Sequence, residues 1–369
     1  MAEYKILTIN PGSTSTKIAY FKGEEAVFTE NVAHDSSELA QFDRLSQQLD
    51  YRKTLIEKCL ADSSLTLNDL DAVVGRGGGL MPLAGGVYEV NDQLYRDAKN
   101  GANGVEHPAN LGPQLARYFA RKASCSTFVV NPPDTDEYQD LARMTGVKGV
   151  YRTCHLHALN LKETALHHAR KQKEIYQKVN YIVCHIGGGI SISAHRRGQM
   201  IDGTDIVGGE GPMAPTRAGS LPLTGVVELL NDGVSASDLR KLCTKNGGFV
   251  SLLGSADAKA IFAAAQKGAE AEQLAWDSMI YQIAKTIGQM AAVLKGDIQA
   301  ILLSGGLVNN ADLVSQITDY CHWIAPVYAY PGEFEMQAMA NGASRVLSGQ
   351  EEVKTYTGRP VWTKEAFPF

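Results

Sequence analysis

Ile6-Leu7-Thr8-Ile9-Asn10-Pro11-Gly12-Ser13-Thr14-Ser15-Thr16-Lys17-Ile18-Ala19-Tyr20-Phe21 is an apolar run, a turn rich in glycine and hydroxyls, and a second apolar run. That pattern predicts two antiparallel strands joined at a tip. The tip offers backbone N–H groups, hydroxyls and the Lys17 ammonium, an array suited to a phosphate. The device recurs at Tyr181-Ile182-Val183-Cys184-His185-Ile186-Gly187-Gly188-Gly189-Ile190-Ser191-Ile192-Ser193-Ala194. An ordinary hairpin uses turn residues like these, so one alone says little. Two such hairpins, each heading half of the chain, are joined by a glycine pair at Gly305-Gly306 after another buried run. Glycines at strand ends let a ligand approach the backbone. Together they point to a duplicated domain that holds a nucleotide between its halves.

The chain has 369 residues, the length of two ordinary domains. Its 44% hydrophobic and 20% charged content suit a packed core. A net charge of −5 argues against a nucleic-acid partner, yet a local cationic cluster can still face an anionic substrate. The six cysteines are scattered without a CxxC pair and read as thiols of a reducing cytosol. The opening Met-Ala-Glu-Tyr-Lys leads straight into a strand pattern, so no secretory leader is expected. No apolar run approaches the ~20 residues of a membrane span, so neither a membrane partner nor a location outside the cytoplasm is expected.

Further strands are predicted at Val27–Asn31, Asp71–Val74, Thr127–Val130, Gln199–Asp202, Ala300–Leu303 and Val327–Ala329. Helices are predicted over Glu38–Cys59, Gln93–Ala98, Asn110–Lys122, Leu156–Gln172, Val226–Asp232, Ala236–Thr244 and Glu335–Leu347, with two more within Ala256–Leu294. Each half then reads as three strands, a helix, a strand, a helix and a strand. This is an α/β class with mixed sheets. The first domain is expected over 1–155 together with a returning tail from about 337 to 369, and the second over 156–336.

Arg76 follows a buried run and precedes Gly77-Gly78-Gly79. Arg217 lies in a loop, Thr216-Arg217-Ala218-Gly219-Ser220. A lone loop arginine is usually a solvated charge, but small neighbours leave room for something to approach it. Arginine suits forked recognition of carboxylate or phosphate. Cys154-His155-Leu156-His157 contains residue types that bind metals. Alternate positions at a helix start do not converge on one ion, and no second cluster completes a zinc site.

The motif Asn10-Pro11-Gly12-Ser13-Thr14-Ser15-Thr16-Lys17 resembles the first signature of the acetokinase family. Cys184-His185-Ile186-Gly187-Gly188-Gly189 resembles its second phosphate segment, Thr216 to Ser220 its arginine loop, and Ser304-Gly305-Gly306 its adenosine segment. His157-Ala158-Leu159-Asn160 and Pro331-Gly332-Glu333-Phe334-Glu335-Met336-Gln337-Ala338 resemble the butyrate-using branch rather than the acetate-using one.

The resemblance implies two ribonuclease H-like, actin-like ATPase domains, MgATP as phosphoryl donor, a short-chain carboxylate as acceptor, and a homodimer or larger assembly. By matched position Asn10, Ser13, Ser15, Lys17 and Gly187-Gly188-Gly189 would line the phosphates. Arg76 and Arg217 would grip the acceptor and the transferring group. His185 would contact the phosphoryl group and His107 would lie near the acceptor. Glu335, with Asn10 beside it, would hold magnesium through water, ahead of Glu333. Asp257, Gly305 and Gly306 would be on the nucleoside side. Two positions depart from the family. Asn131 stands where an aspartate is usual, with Asp134 or Asp136 as substitutes, and Thr153 stands near the place of a second histidine before the linking helix.

A carboxylate with a pKa near ~4.3 is already ionised at pH 7 and needs no general base. The obstacle is its repulsion from the triphosphate, about 4 kcal/mol per charge pair at ~4 Å and an effective dielectric of ~20. Arginines, Lys17 and magnesium would offset it. Gly77 and Gly78 stand where acetate kinases carry bulky valines, so a roomier acyl pocket is expected, favouring butyrate or a branched four- or five-carbon acid. A simple turn is the competing account of those glycines. Sugar kinases share the fold but need a carboxylate base. A filament-forming or chaperone ATPase would need an extra interaction segment.

Overall fold

The computed structural model describes residues 3–63 and 65–368. The chain divides into two units, Met1–Asp136 with Phe334–Pro368, and Glu137–Glu333.

The first unit is built on β1 (Lys5–Pro11), β2 (Ser15–Lys22) and β3 (Glu25–Ala33), which pair antiparallel in sequence. β4 (Ala72–Gly75) and β6 (Ser126–Val130) extend the sheet in parallel on the other side of β1, and the short β5 (Val87–Glu89) closes the edge against β6. The order is β3-β2-β1-β4-β6-β5. β1 is central and covered on both faces, which is why Ile6 to Ile9 reads as a near-continuous apolar run. The helix Gly112–Ala123 places Leu115, Ala116 and Phe119 against Leu7, Ile9 and Val73. The returning helix Glu335–Leu347 packs on β1, β4 and β6.

The second unit repeats this plan. β7 (Asn180–Ile186), β8 (Ile190–Arg196) and β9 (Gln199–Gly203) are antiparallel, while β10 (Ala300–Gly305) and β11 (Val327–Pro331) run parallel to β7. The order β11-β10-β7-β8-β9 mirrors β6-β4-β1-β2-β3. Its core is filled by Trp276, Met279, Ile280, Ile283 and Ile287 of the helix Glu270–Val293.

Two expectations differ from the fold, and one helix was not expected. The division between units falls at 136/137 and 333/334, not at 155/156 and 336/337. Residues 137–155 are bonded into the second unit: Glu137 accepts from Lys162 Nζ (2.9 Å) and Met200 N (2.8 Å), and Arg152 reaches Asp202 (2.9 Å) and Glu210 (2.8 Å). The single helix predicted over Glu38–Cys59 is interrupted. A turn of helix at Ser36–Leu39 is followed by a 3-10 turn, Leu45–Gln48, that runs into the helix Leu49–Asp62. Leu45 N donates to Glu106 Oε1 (2.7 Å), a tertiary bond that draws this stretch out of a regular helix. The helix Ala311–Cys321 is absent from the sequence reading. It is started by Asn310, whose side chain accepts from the Asp312 and Leu313 amides.

Candidate active site

In the first unit the β1–β2 turn is closed by Gly12 N donating to Ser15 O (2.7 Å). The amides of exposed Ser13 and Thr14 have no acceptor among the described residues. Lys17 stands exposed on β2 directly opposite Asn10 on β1.

Arg76 leaves the end of β4. Its backbone is pressed onto the start of the helix Gly112–Ala123, where a β-carbon on Gly112 would stand 1.8 Å from the Arg76 carbonyl oxygen. Only glycine permits that approach. The Arg76 side chain is buried, with Nη2 3.2 Å from Glu335 Oε1. The other oxygen of Glu335 accepts from Asn10 Nδ2 (2.8 Å). Arg76 Nη1 is buried without an acceptor among the described residues. A guanidinium nitrogen in that state is a ready donor to an incoming anion.

His107 caps the 3-10 turn Pro108–Leu111. Its Nδ1 accepts from Ala109 N (3.2 Å), so a neutral ring carries its proton on Nε2. Desolvation, and secondly Arg76, lower its pKa, with Glu335 opposing.

Gly77 and Gly78 do not open a pocket. A β-carbon on Gly77 would lie 2.4 Å from Val129 Cγ1, and one on Gly78 would lie 2.9 Å from Ala109 Cβ. The space that a valine would take is filled by the scaffold, so the glycines serve close packing. Asn131, at φ 37°, is bonded through Oδ1 to Gly86 N (2.8 Å). Asp134 accepts from Asn103 (2.6 Å) and Asp136 from Trp362 Nε1 (2.7 Å).

In the second unit His185 lies buried near the end of β7. Asn160 Nδ2 donates to His185 Nδ1 (2.9 Å) and to Ser304 Oγ (2.9 Å), and Ser304 Oγ donates to Cys184 O (2.9 Å). This relay leaves the neutral His185 proton on Nε2, 3.8 Å from Glu333 Oε1. A second histidine does precede the linking helix. His157, the residue before Ala158–Gln172, stacks on His185 with ring centres 3.9 Å apart and 19° between planes, and its Nδ1 meets Ser191 Oγ at 2.8 Å. Thr153 stands near the place where the resemblance puts a second histidine. Thr153 instead bonds Asp205, as does His155 Nδ1 at 3.1 Å.

The arginine loop folds against the Gly187–Gly189 turn, with Thr216 Oγ1 donating to Gly188 O (2.8 Å). A β-carbon on Gly189 would stand 2.0 Å from Arg217 Nη1. Arg217 Nε and Nη1 are buried without acceptors among the described residues. Burial lowers its pKa, and buried Asp205 opposes that. The Asp205 carboxyl is itself held below its usual value: burial would raise it, but bonds from His155, Thr153 and Gly208 N outweigh burial.

Gly305, at φ 101°, lies so close to β7 that a β-carbon would be 2.4 Å from Ile186 O, whereas Gly306 faces open space. Asp257 is exposed and caps the helix Ala258–Ala265 by accepting from Ala260 N (3.0 Å).

Residues 143–326 match the profile of the acetokinase family. Butyrate kinase 2 of Clostridium acetobutylicum is 42% identical over 355 residues, 96% of this chain and 99% of that protein. A probable butyrate kinase of Coprothermobacter proteolyticus is also 42% identical, with the same coverage. Among solved structures, Porphyromonas gingivalis acetate kinase superposes with a TM-score of 0.75 at 18% identity, over 92% of this chain and 99% of that one. A Francisella tularensis propionate kinase gives 0.70 at 16% identity, over 91% and 98%. The fold is therefore the actin-like ATPase fold of the acetate and propionate kinases.

Proposed function

The chain belongs to the acetokinase family and phosphorylates a short-chain carboxylate with ATP; from that premise we propose that its acceptor is butyrate. The full-length 42% identity to butyrate kinase 2 carries the choice of acid. The glycines after Arg76 no longer contribute to it.

In this reading a carboxylate oxygen attacks the γ-phosphorus of ATP. The bond to the β–γ bridging oxygen breaks, ADP leaves, and no proton is transferred. Catalysis is positioning plus charge stabilisation. Arg76 of the first unit takes the acceptor carboxylate through Nη1, while Glu335 holds its other end. Arg217 of the second unit donates Nε and Nη1 to the transferring group. His185 donates Nε2–H to it, with Asn160 fixing the tautomer and His157 the ring plane. The Ser13 and Thr14 amides and Lys17 receive phosphate oxygens, as do the Gly188 and Gly189 amides of the second hairpin.

Glu335 and the Asn10 carboxamide oxygen are hard oxygen donors and suit magnesium, which keeps most of its waters and binds through one or two carboxylates. Bound with ATP, the ion would neutralise charge on the departing ADP. A hydroxyl acceptor would require a carboxylate base, and both aspartates that sequence offers for that are held, Asp134 by Asn103 and Asp136 by Trp362.

Self-association is part of the proposal. Leu223, Val227 and Leu230 of the helix Leu223–Asn231 are 78%, 49% and 46% exposed, an apolar face suited to a second copy. The six free thiols support a reducing, cytoplasmic setting. Among the described residues no helix is long and apolar enough to cross a membrane.

The test is acyl-phosphate formation, trapped as hydroxamate, with MgATP and acetate, propionate, butyrate, isobutyrate, valerate or glycerol. Highest kcat/KM on a four-carbon acid is expected. Acetate as the best acceptor would keep the family and reject butyrate.

A further inference from the structure

Beneath the Gly12–Ser15 turn lies Arg52, on the helix Leu49–Asp62, with no solvent exposure. Its Nη1 donates to the Gly12 carbonyl (2.9 Å) and to Thr16 Oγ1 (3.0 Å), and reaches the Ser15 carbonyl at 3.4 Å. Nε and Nη2 both donate to Gln48 Oε1, at 3.2 and 2.9 Å. Every acceptor is neutral. No carboxylate pairs with Arg52 among the described residues. Burial lowers its pKa to about 10, which leaves it charged at neutral pH. His34 shares Thr16 Oγ1 (2.8 Å), and burial together with Arg52 lowers its pKa to about 4, so the charge beside the turn is that of the guanidinium.

A buried charge without a counter-charge is costly, and proteins normally pair it. Here only neutral acceptors of the turn, Thr16 and Gln48 meet the guanidinium among the described residues. Three of the four carbonyls of the turn are taken up by the protein: Gly12 O by Arg52, Thr14 O by His34 N (2.9 Å), and Ser15 O by Gly12 N. What the turn leaves for a ligand is the Ser13 and Thr14 amides, backed by a full positive charge in a low-dielectric setting.

We propose that Arg52 is a positioning residue for the phosphoryl donor: it fixes the carbonyls of the turn from behind and gives the turn a positive potential that the ATP phosphates complete. This rests on the reading that the turn receives those phosphates. A purely structural arginine would affect stability and every kinetic constant together. A phosphate-positioning one acts on the nucleotide selectively.

The experiment compares Arg52→Met, Arg52→Lys and Gln48→Ala with the wild-type chain. It measures kcat and KM for MgATP and for butyrate, ADP affinity by calorimetry, and Tm. Arg52→Met is expected to weaken ADP binding and raise KM for MgATP at least tenfold, with KM for butyrate within twofold of wild type. Arg52→Lys restores part of the nucleotide affinity, because charge returns without the fork. Gln48→Ala frees Nε and Nη2 and gives a smaller rise in the same direction. Unchanged ADP affinity in folded Arg52→Met, or in Gln48→Ala where Arg52→Met does not fold, overturns the proposal. Equal rises in both KM values overturn it too. A wild-type chain that neither binds ADP nor makes acyl phosphate would instead reject the underlying reading, and the inference with it.

Discussion

The guanidinium of Arg217 occupies the place where Gly189 would carry a β-carbon, with Nη1 2.0 Å from that point. Gly189 is not in the left-handed region, so alanine is compatible with its backbone. The atom it meets is the far end of a flexible side chain. Gly189→Ala should therefore move Arg217 while leaving the fold intact. The expected outcome is a fall in kcat of at least tenfold with Tm within a few degrees of wild type. A variant with wild-type turnover would show that Arg217 acts from elsewhere.

Among the described residues Arg76 Nη1 and Arg217 Nε and Nη1 are buried without acceptors. Removing either should lower kcat by ~10²–10³-fold, the scale of losing one donor to developing charge. Lysine should not restore it, because an ammonium cannot reproduce the fork. Steady-state kinetics of Arg76→Ala, Arg76→Lys and the same pair at Arg217 check this.

Gly78→Val should not convert the enzyme towards acetate. The new β-carbon meets Ala109 Cβ at 2.9 Å and the Ala109 carbonyl carbon at 3.2 Å. Overpacking of this kind costs ~1–3 kcal/mol. A lower Tm with an unchanged butyrate-to-acetate ratio is expected. A ratio shifted towards acetate at unchanged Tm would reinstate the acyl-pocket role.

His34 sets a pH dependence of stability. Its pKa falls from 6.5 to about 4 through burial and Arg52, so the folded chain holds it neutral where the unfolded chain protonates it. The unfolded state binds the extra proton, and stability is lost as pH drops from 6.5 towards 4. His34→Gln should flatten that acid limb by up to ~1.4 kcal/mol per pH unit, the value of one proton. His168 and His195, also lowered by burial, keep part of the slope. Thermal melts from pH 7 to pH 4 measure it.

The two hairpins and the duplicated sheet were legible because their signals are local: an apolar run, a glycine turn, an apolar run. The meaning of Gly77 was not, since it depends on Val129 and Pro132, which stand where its side chain would point. Arg52 is equally silent in sequence. Nothing in Leu49–Asp62 separates an arginine that faces water from one that faces the Gly12 carbonyl. His157 was visible but discounted, because its partner His185 is brought to it only by β7. The small neighbours of Arg76 and Arg217 are visible in sequence, but the burial of their guanidinium nitrogens is not, because it depends on the elements packed around them.

The first unit is written in two pieces, and Glu335 belongs to the second of them. The carboxylate that holds Arg76 and Asn10 therefore leaves the ribosome only after the whole second unit has been made. During synthesis the strands β1, β4 and β6 must wait, with the face that the helix Glu335–Leu347 covers still uncovered. The second unit is a continuous insertion and is free to fold in the meantime. The order of synthesis thus gives this protein a built-in delay: the ion pair between Arg76 and Glu335 in its first unit is completed last.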